Sequence, residues 1–154
     1  MPTLTENKKA RFDYDILETF EAGLVLQGHE VKSVKTGRAK IQGAYAIIRG
    51  KEVYMVGMHI PPYQQANTPA DYDPDRTRKI LLSKKEISYL VGKTAEKGLT
   101  LVPLSVYTNR GLVKVLVGLG RGKKQTDKRQ TIKAREAQRH IERIISAQGG
   151  SASG

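Results

Sequence analysis

The chain has 154 residues, a length usual for one domain, with 27 Lys and Arg against 15 Asp and Glu for a net charge of +12. It contains no cysteine, which excludes a disulfide scaffold, a thiolate zinc site and a cysteine nucleophile together. The charge excess draws the molecule to polyanions, nucleic acid first and an anionic membrane surface second, and leaves the fold open. Residues 1–15 are polar and charged, without the apolar run of a signal peptide. No stretch approaches the roughly 20 apolar residues of a membrane span, so a cytoplasmic location is expected.

In chain order, the NKKAR run at residues 7–11 places three cations in four residues ahead of the first strand. It reads equally as a solubilising arm or as a phosphate contact. Residues 13–20 are a predicted strand bounded by the turn-forming Gly23. Val31 and Val34, with Gly37 beyond them, predict a short helix over residues 29–36 closed by that glycine. Residues 44–49 and 52–59 are rich in Val, Ile and Tyr, and Gly50-Lys51 between them predicts a hairpin. Residues 61–77 hold four prolines and three aspartates and read as a loop, with Tyr63 and Tyr72 exposed for stacking. A short strand at residues 78–82 leads to Ser83, an N-cap with Glu86 three residues on, which is a capping box. Ile87, Leu90, Val91 and Ala95 then fall on one helical face ending at Gly98. Residues 99–107 and 112–119 are two further strands joined across Asn109-Arg110-Gly111. Five or six short antiparallel strands with one or two helices favour a small closed barrel, mainly β with peripheral helices.

From Gly120 the character changes to glycine and charge. Residues 121–146 hold nine basic and three acidic residues, half of the net charge in one sixth of the chain. This marks a body over residues 1–120 and a basic tail over 121–154. Ala134, Ala137, Ile141, Ile144 and Ile145 recur at helical spacing, and the last eight residues are small and featureless, as in a disordered end. The apolar stripe of the tail can dock on the body, lie on a membrane, or enter a groove of nucleic acid. Its Ala and Ile lack the large anchors of a membrane helix, which favours nucleic acid.

Catalysis has little to work with. His29, His59 and His140 lie in separate elements without metal-ligand spacing, and no nucleophile elbow is present. Asp71, Asp73 and Asp75 alternate as in a calcium loop, but its Gly and closing Glu are missing. The GLGRGKK run at residues 118–124 has Val117 and Lys124 where a phosphate-binding loop needs Gly and Ser or Thr. What remains is a flexible basic turn able to meet phosphates, or a solvated linker. Neither a metal nor a cofactor is expected, nor is enzyme activity. Glu30 stands before Lys32 and Ser33 in a helix otherwise suited to RNA. It is either a salt-bridge partner of Lys32 or Lys35, or an acceptor for base or ribose donors.

The same segments resemble the SmpB family of SsrA-binding proteins. They are NKKAR at 7–11, YDILETFEAGL at 14–24, LQGHEVKS at 26–33, RTRKILL at 76–82 and GKKQTDKR at 122–129, in family order over nearly the whole chain. The resemblance implies a six-stranded antiparallel OB-like barrel with a basic C-terminal tail, disordered when free and helical on the ribosome. It also implies a monomeric RNA-binding adaptor that binds the tRNA-like domain of transfer-messenger RNA and delivers it to stalled ribosomes for trans-translation. By position, Asn7, Lys8, Arg11, Glu30, Lys32 and Ser33 form the implied RNA-binding face, with Lys123 and Lys124 as backbone contacts. Asp127, Lys128, Arg129, Lys133, Arg135, Arg139 and Arg143 form the implied ribosome-binding tail, which occupies the decoding centre and empty mRNA channel. Thr126 stands where many relatives carry His or Tyr, and Ala137 where some carry Trp, which removes stacking groups at both places. From another class, a general single-stranded nucleic-acid-binding OB fold would need only a basic groove and stacking aromatics.

Overall fold

The computed structural model describes residues 3–123, 135–137 and 139. The chain divides into two compact units after Gly122. The first holds, in order, β1 (Thr3–Glu6), α1 (Lys8–Asp13), β2 (Tyr14–Leu24), α2 (Gly28–Lys35), β3 (Tyr45–Arg49), β4 (Glu52–Val56), β5 (Arg78–Leu81), α3 (Lys84–Thr94), β6 (Leu99–Asn109) and β7 (Leu112–Gly122). Residues 57–77 are the long loop between β4 and β5, interrupted by one 3₁₀ turn at Gln65–Asn67. In the second unit, residues 135–137 and 139 are helical and exposed.

All strand pairs are antiparallel, and the ladder runs β6-β3-β4-β5-β2-β7 and returns to β6. Six strands therefore close into an OB-like barrel, and β1 adds a short seventh strand along β6, with Glu6 opposite Ser105. Turn chemistry sets the registers. Gly50 has φ +63° at the first position of the β3–β4 turn, where the two-residue hairpin accepts glycine. Arg110 (φ +53°) and Gly111 (φ +79°) are both left-handed, the pattern of a two-residue turn that matches strand twist. Asn109 consequently faces Leu112 directly.

Two corrections concern glycines. The first predicted strand does not stop at Gly23, because β2 continues to Leu24 and pairs Gly23 with both Leu81 on β5 and Lys114 on β7. Glycine at this point lets one strand serve two neighbours, as at a barrel corner. Nor does the run from Gly118 begin a flexible turn. Gly118 and Gly120 lie inside β7, paired with Val102 and Thr100. A Cβ on Gly118 would stand 2.9 Å from Leu104 Cδ1, and one on Gly120 3.0 Å from Tyr14 Cβ. These glycines are there for close packing.

The barrel interior is filled by alternating strand residues such as Val53, Met55, Ile80, Leu101, Val115 and Val117, each adding about 1.5–3 kcal/mol by leaving water. A second, smaller cluster joins Ala10 of α1 to Val102 and Leu104, with Tyr14, Ile16 and Leu116 around it. The capping box of α3 is present, with Ser83 Oγ accepting from Glu86 N at 3.2 Å and Ser83 N donating to Glu86 Oε1 at 3.0 Å. Its buried face is narrower than the four-residue stripe in the sequence. Leu90 is sealed and Ile87 packs on the core, whereas Val91 is 47% exposed and Ala95 is also outside. Tyr89 holds α3 from the side, bonding Glu18 of β2 and tilting against Phe20 at 6.2 Å.

Candidate nucleic-acid interface

The cations of the first segment are displayed by α1, a helix rather than a loose arm. Asn7 is its N-cap, accepting from Ala10 N at 3.1 Å. The Asn7 amide also donates to Ile41 O at 3.2 Å and Pro103 O at 3.0 Å, and Asn7 N donates to Leu104 O. The side chain is 3% exposed, so every part of it is used inside the protein. Pro103 and Leu104 sit at a β-bulge, where β6 slips register against β7. Such a break leaves ladder groups needing partners, and Asn7 supplies them. Lys8, Lys9 and Arg11 are left on the exposed side. Lys9 borders a groove of about 880 Å³ that also takes in Tyr14, Lys40, Tyr45 and His59.

Helical periodicity divides the second segment in the same way. Glu30, Ser33 and Val34 turn inward on α2, while Lys32 and Lys35 turn out. Neither partner expected for Glu30 is the observed one. Its carboxylate is wholly buried and meets two arginines, Arg76 at the far end of the long loop and Arg78 at the start of β5. Arg78 donates from Nε (2.9 Å) and Nη2 (2.6 Å) to Oε2. Arg76 donates from Nε to Oε2 at 3.0 Å and from Nη2 to Oε1, and Gln27 N donates to Oε1 at 2.8 Å. Burial alone would raise the carboxyl pKa, but the hydrogen bonds from Arg76, the Gln27 amide and Arg78 outweigh it and hold it at about 2. A base or ribose donor therefore finds no open acceptor at Glu30.

Tyr72 belongs to the same cluster and is not a free stacking group. Its hydroxyl donates to Ile60 O at 2.8 Å, accepts from Arg78 Nη2 at 2.9 Å and lies 3.1 Å from Glu30 Oε2. Burial, with the neighbouring carboxylate, raises its pKa to about 12. Arg78 completes the cluster by donating to Met58 O and Pro74 O. Ser33 Oγ donates to Pro61 O at 2.7 Å and is likewise buried. The proline-rich loop is thus pinned at both ends to α2. Asp73 and Asp75 are spent on the loop itself, Asp73 Oδ1 accepting from Asp75 N and Asp75 pairing with His59 at 2.7 Å.

Of the eight residues expected to face RNA, the structure places Lys8, Arg11 and Lys32 on the surface and Lys123 half-buried in the second unit. Asn7, Glu30 and Ser33 are buried supports. Lys124 lies outside the described residues, as do Asp127, Lys128, Arg129, Lys133 and Arg143 of the tail. Arg135 and Arg139 are helical and exposed. Among the described residues, no group of three His, Asp or Glu side chains is placed to hold a metal, and no helix is long and apolar enough to cross a membrane.

Residues 4–147 match the family model described as SmpB protein. The chain belongs to the SmpB family. SsrA-binding proteins of Synechococcus elongatus and Listeria monocytogenes are 51% and 54% identical to it over 142 residues, 92% of each chain. A chain of the solved structure described as "tmRNA-SmpB: a journey to the center of the bacterial ribosome" is 49% identical, with a TM-score of 0.66 over 81% of this chain and 87% of that one. SmpB-family membership thus covers the barrel and extends through the helical residues of the second unit.

Proposed function

We propose that this protein is an RNA-binding adaptor of the cytoplasm. It takes up the tRNA-like domain of transfer-messenger RNA and delivers it to stalled ribosomes for trans-translation. What carries this reading is SmpB-family membership over residues 4–147, beside relatives named for SsrA binding and a neighbour described with tmRNA and the bacterial ribosome. The electrostatics agree, since a net charge of +12 suits a polyanionic partner.

In this reading Lys8, Arg11 and Lys32 contact RNA directly, and Asn7, Glu30 and Ser33 hold them in place from within. Lys123 and Lys124 add backbone contacts. The body, which runs two residues past the expected boundary at 120 to the end of β7 at Gly122, binds the RNA as a monomer. The tail, expected from residue 121 and beginning in the structure beyond Gly122, has residues 135–137 and 139 already helical and is helical on the ribosome. Asp127, Lys128, Arg129, Lys133, Arg135, Arg139 and Arg143 then occupy the decoding centre and empty mRNA channel. The protein itself makes and breaks no bond.

A pull-down from bacterial lysate at physiological salt, with sequencing of the retained RNA, tests the first part. Strong enrichment of transfer-messenger RNA over the more abundant tRNA and rRNA is expected. A profile that mirrors abundance would mean a general single-strand binder, in which charge alone does the work. Deleting residues 124–154 should leave RNA binding largely intact and abolish tagging on ribosomes; loss of both together would overturn the division into body and tail.

A further inference from the structure

Two tyrosines of the proline-rich loop are candidates for stacking, and the structure separates them. Tyr72 is consumed by the Glu30–Arg78 cluster, while Tyr63 stays half-exposed. The Tyr63 ring is backed by Arg38, whose guanidinium carbon stands 5.9 Å from the ring centroid. Arg38 Nη1 also reaches Tyr63 O at 3.4 Å. The loop that carries the ring is held at both ends, by Ser33 Oγ on Pro61 O two residues before Tyr63 and by Arg76 and Arg78 on Glu30 where the loop meets β5. Lys32, Lys35 and Arg38 are all exposed here, and among the described residues no acid comes within ion-pair range of them.

We propose that Tyr63, backed by Arg38, is a stacking platform for one unpaired base of the transfer-messenger RNA, beside phosphate contacts from Lys32 and Lys35. This rests on the function proposed above and adds a residue to it. Structured RNA is read through unstacked bases laid on aromatic rings and guanidinium planes. A ring of this kind serves any base, because stacking needs only a π face. The planar Arg38 group both polarises the ring and offers a positive charge to the neighbouring phosphate. A ring backed by Arg38 on a loop tethered at both ends loses less freedom when the base arrives than one on a free loop.

The test compares the full-length protein with Tyr63→Phe, Tyr63→Leu and Arg38→Gln for affinity to transfer-messenger RNA over a series of salt concentrations. Urea unfolding checks that each variant is folded. Tyr63→Leu is expected to weaken binding about 5- to 20-fold with an unchanged salt slope, because a stack carries no counterion release. Tyr63→Phe should bind as the parent does. Arg38→Gln should weaken binding and reduce the slope by about one. Binding by Tyr63→Leu within twofold of the parent, or equal losses in Phe and Leu, would overturn the platform. A parent protein that fails to prefer transfer-messenger RNA over unrelated RNA would instead overturn the function on which it rests.

Discussion

Glu30 on α2 and Arg78 on β5 pair at 2.6 Å, and neither side chain has any contact with solvent. Two charges buried together stand only while both are present, since losing one leaves the other unpaired in a medium that solvates it poorly. Glu30→Ala is therefore expected to destabilise the barrel by about 3–5 kcal/mol, measured by urea unfolding. The same substitution should weaken binding of transfer-messenger RNA although it removes a negative charge, because the loop and α2 lose their common anchor. Tighter binding by the variant would show that Glu30 acts only as a local counter-charge.

The pH dependence follows from the same carboxylate. Its folded pKa, about 2, lies below the ordinary 4.5, so on acidification the unfolded chain takes up the proton first. The contribution of Glu30 is fully present above about pH 5 and is lost as pH falls toward 2, a difference on the order of 3 kcal/mol. Tyr72 acts at the other end: its pKa of about 12 against 10 means that stability falls as pH rises past 10, where the unfolded chain loses the proton first. Unfolding free energies from pH 2 to 7 should show a steeper acid limb in the parent than in Glu30→Gln. Parallel curves would refute this account.

Asn7 and Lys8 are adjacent in sequence and should fail in different ways. Asn7→Ala removes the α1 cap and strands two buried carbonyls, at about 1–3 kcal/mol in stability. Lys8→Ala touches only an exposed side chain and should stay within about 0.5 kcal/mol of the parent. Lys8→Ala should instead lower RNA affinity and the salt slope, by about one phosphate contact. Thermal melts beside salt-dependent binding distinguish the two, and a reversed pattern would place Asn7 on the RNA.

Gly118 should tolerate no side chain. Gly118→Ala puts a methyl 2.9 Å from Leu104 Cδ1 and 3.2 Å from Ile16 Cγ2, a crowding expected to cost about 1–3 kcal/mol. Shortening the neighbour in Gly118→Ala/Leu104→Val should recover part of the loss. Additive losses in the double variant, read by urea unfolding, would mean that the glycine is needed for backbone freedom and not for space.

Much of this was legible in the residues. The two hairpins, the Ser83 capping box and the Gly37 helix stop depend on neighbours within a few positions, so local chemistry specifies them. The closed barrel also followed from strand count and turns. The buried cluster depends on residues 46 and 48 positions apart in sequence, whereas local spacing offers Glu30 only Lys32 and Lys35 as ion partners, or a base or ribose donor from RNA. A signal was present. Strand alternation puts Arg78 on the same face as Ile80, and helical spacing puts Glu30 with Ser33 and Val34. An arginine and a glutamate on inward faces require each other. Nothing of this kind was available for Gly118 and Gly120. Gly118 falls within the strand expected over residues 112–119 and Gly120 opens a glycine-and-charge run that matches a flexible linker, and only the close approach of Leu104, Ile16 and Tyr14 shows why neither carries a side chain.

The last strand, β7, lies between β6 and β2 and pairs along nearly the full length of both. A copy of this chain broken off before Leu112 would leave β6 held only on its other edge, by β1 and β3, and β2 with only its final two residues held, by β5. Two eleven-residue strands would then present open rows of amide and carbonyl groups, the kind of edge that invites aggregation and proteolysis. Synthesis must pass Gly122 before the molecule can conceal its own backbone, so an unfinished copy is marked by its exposed edges.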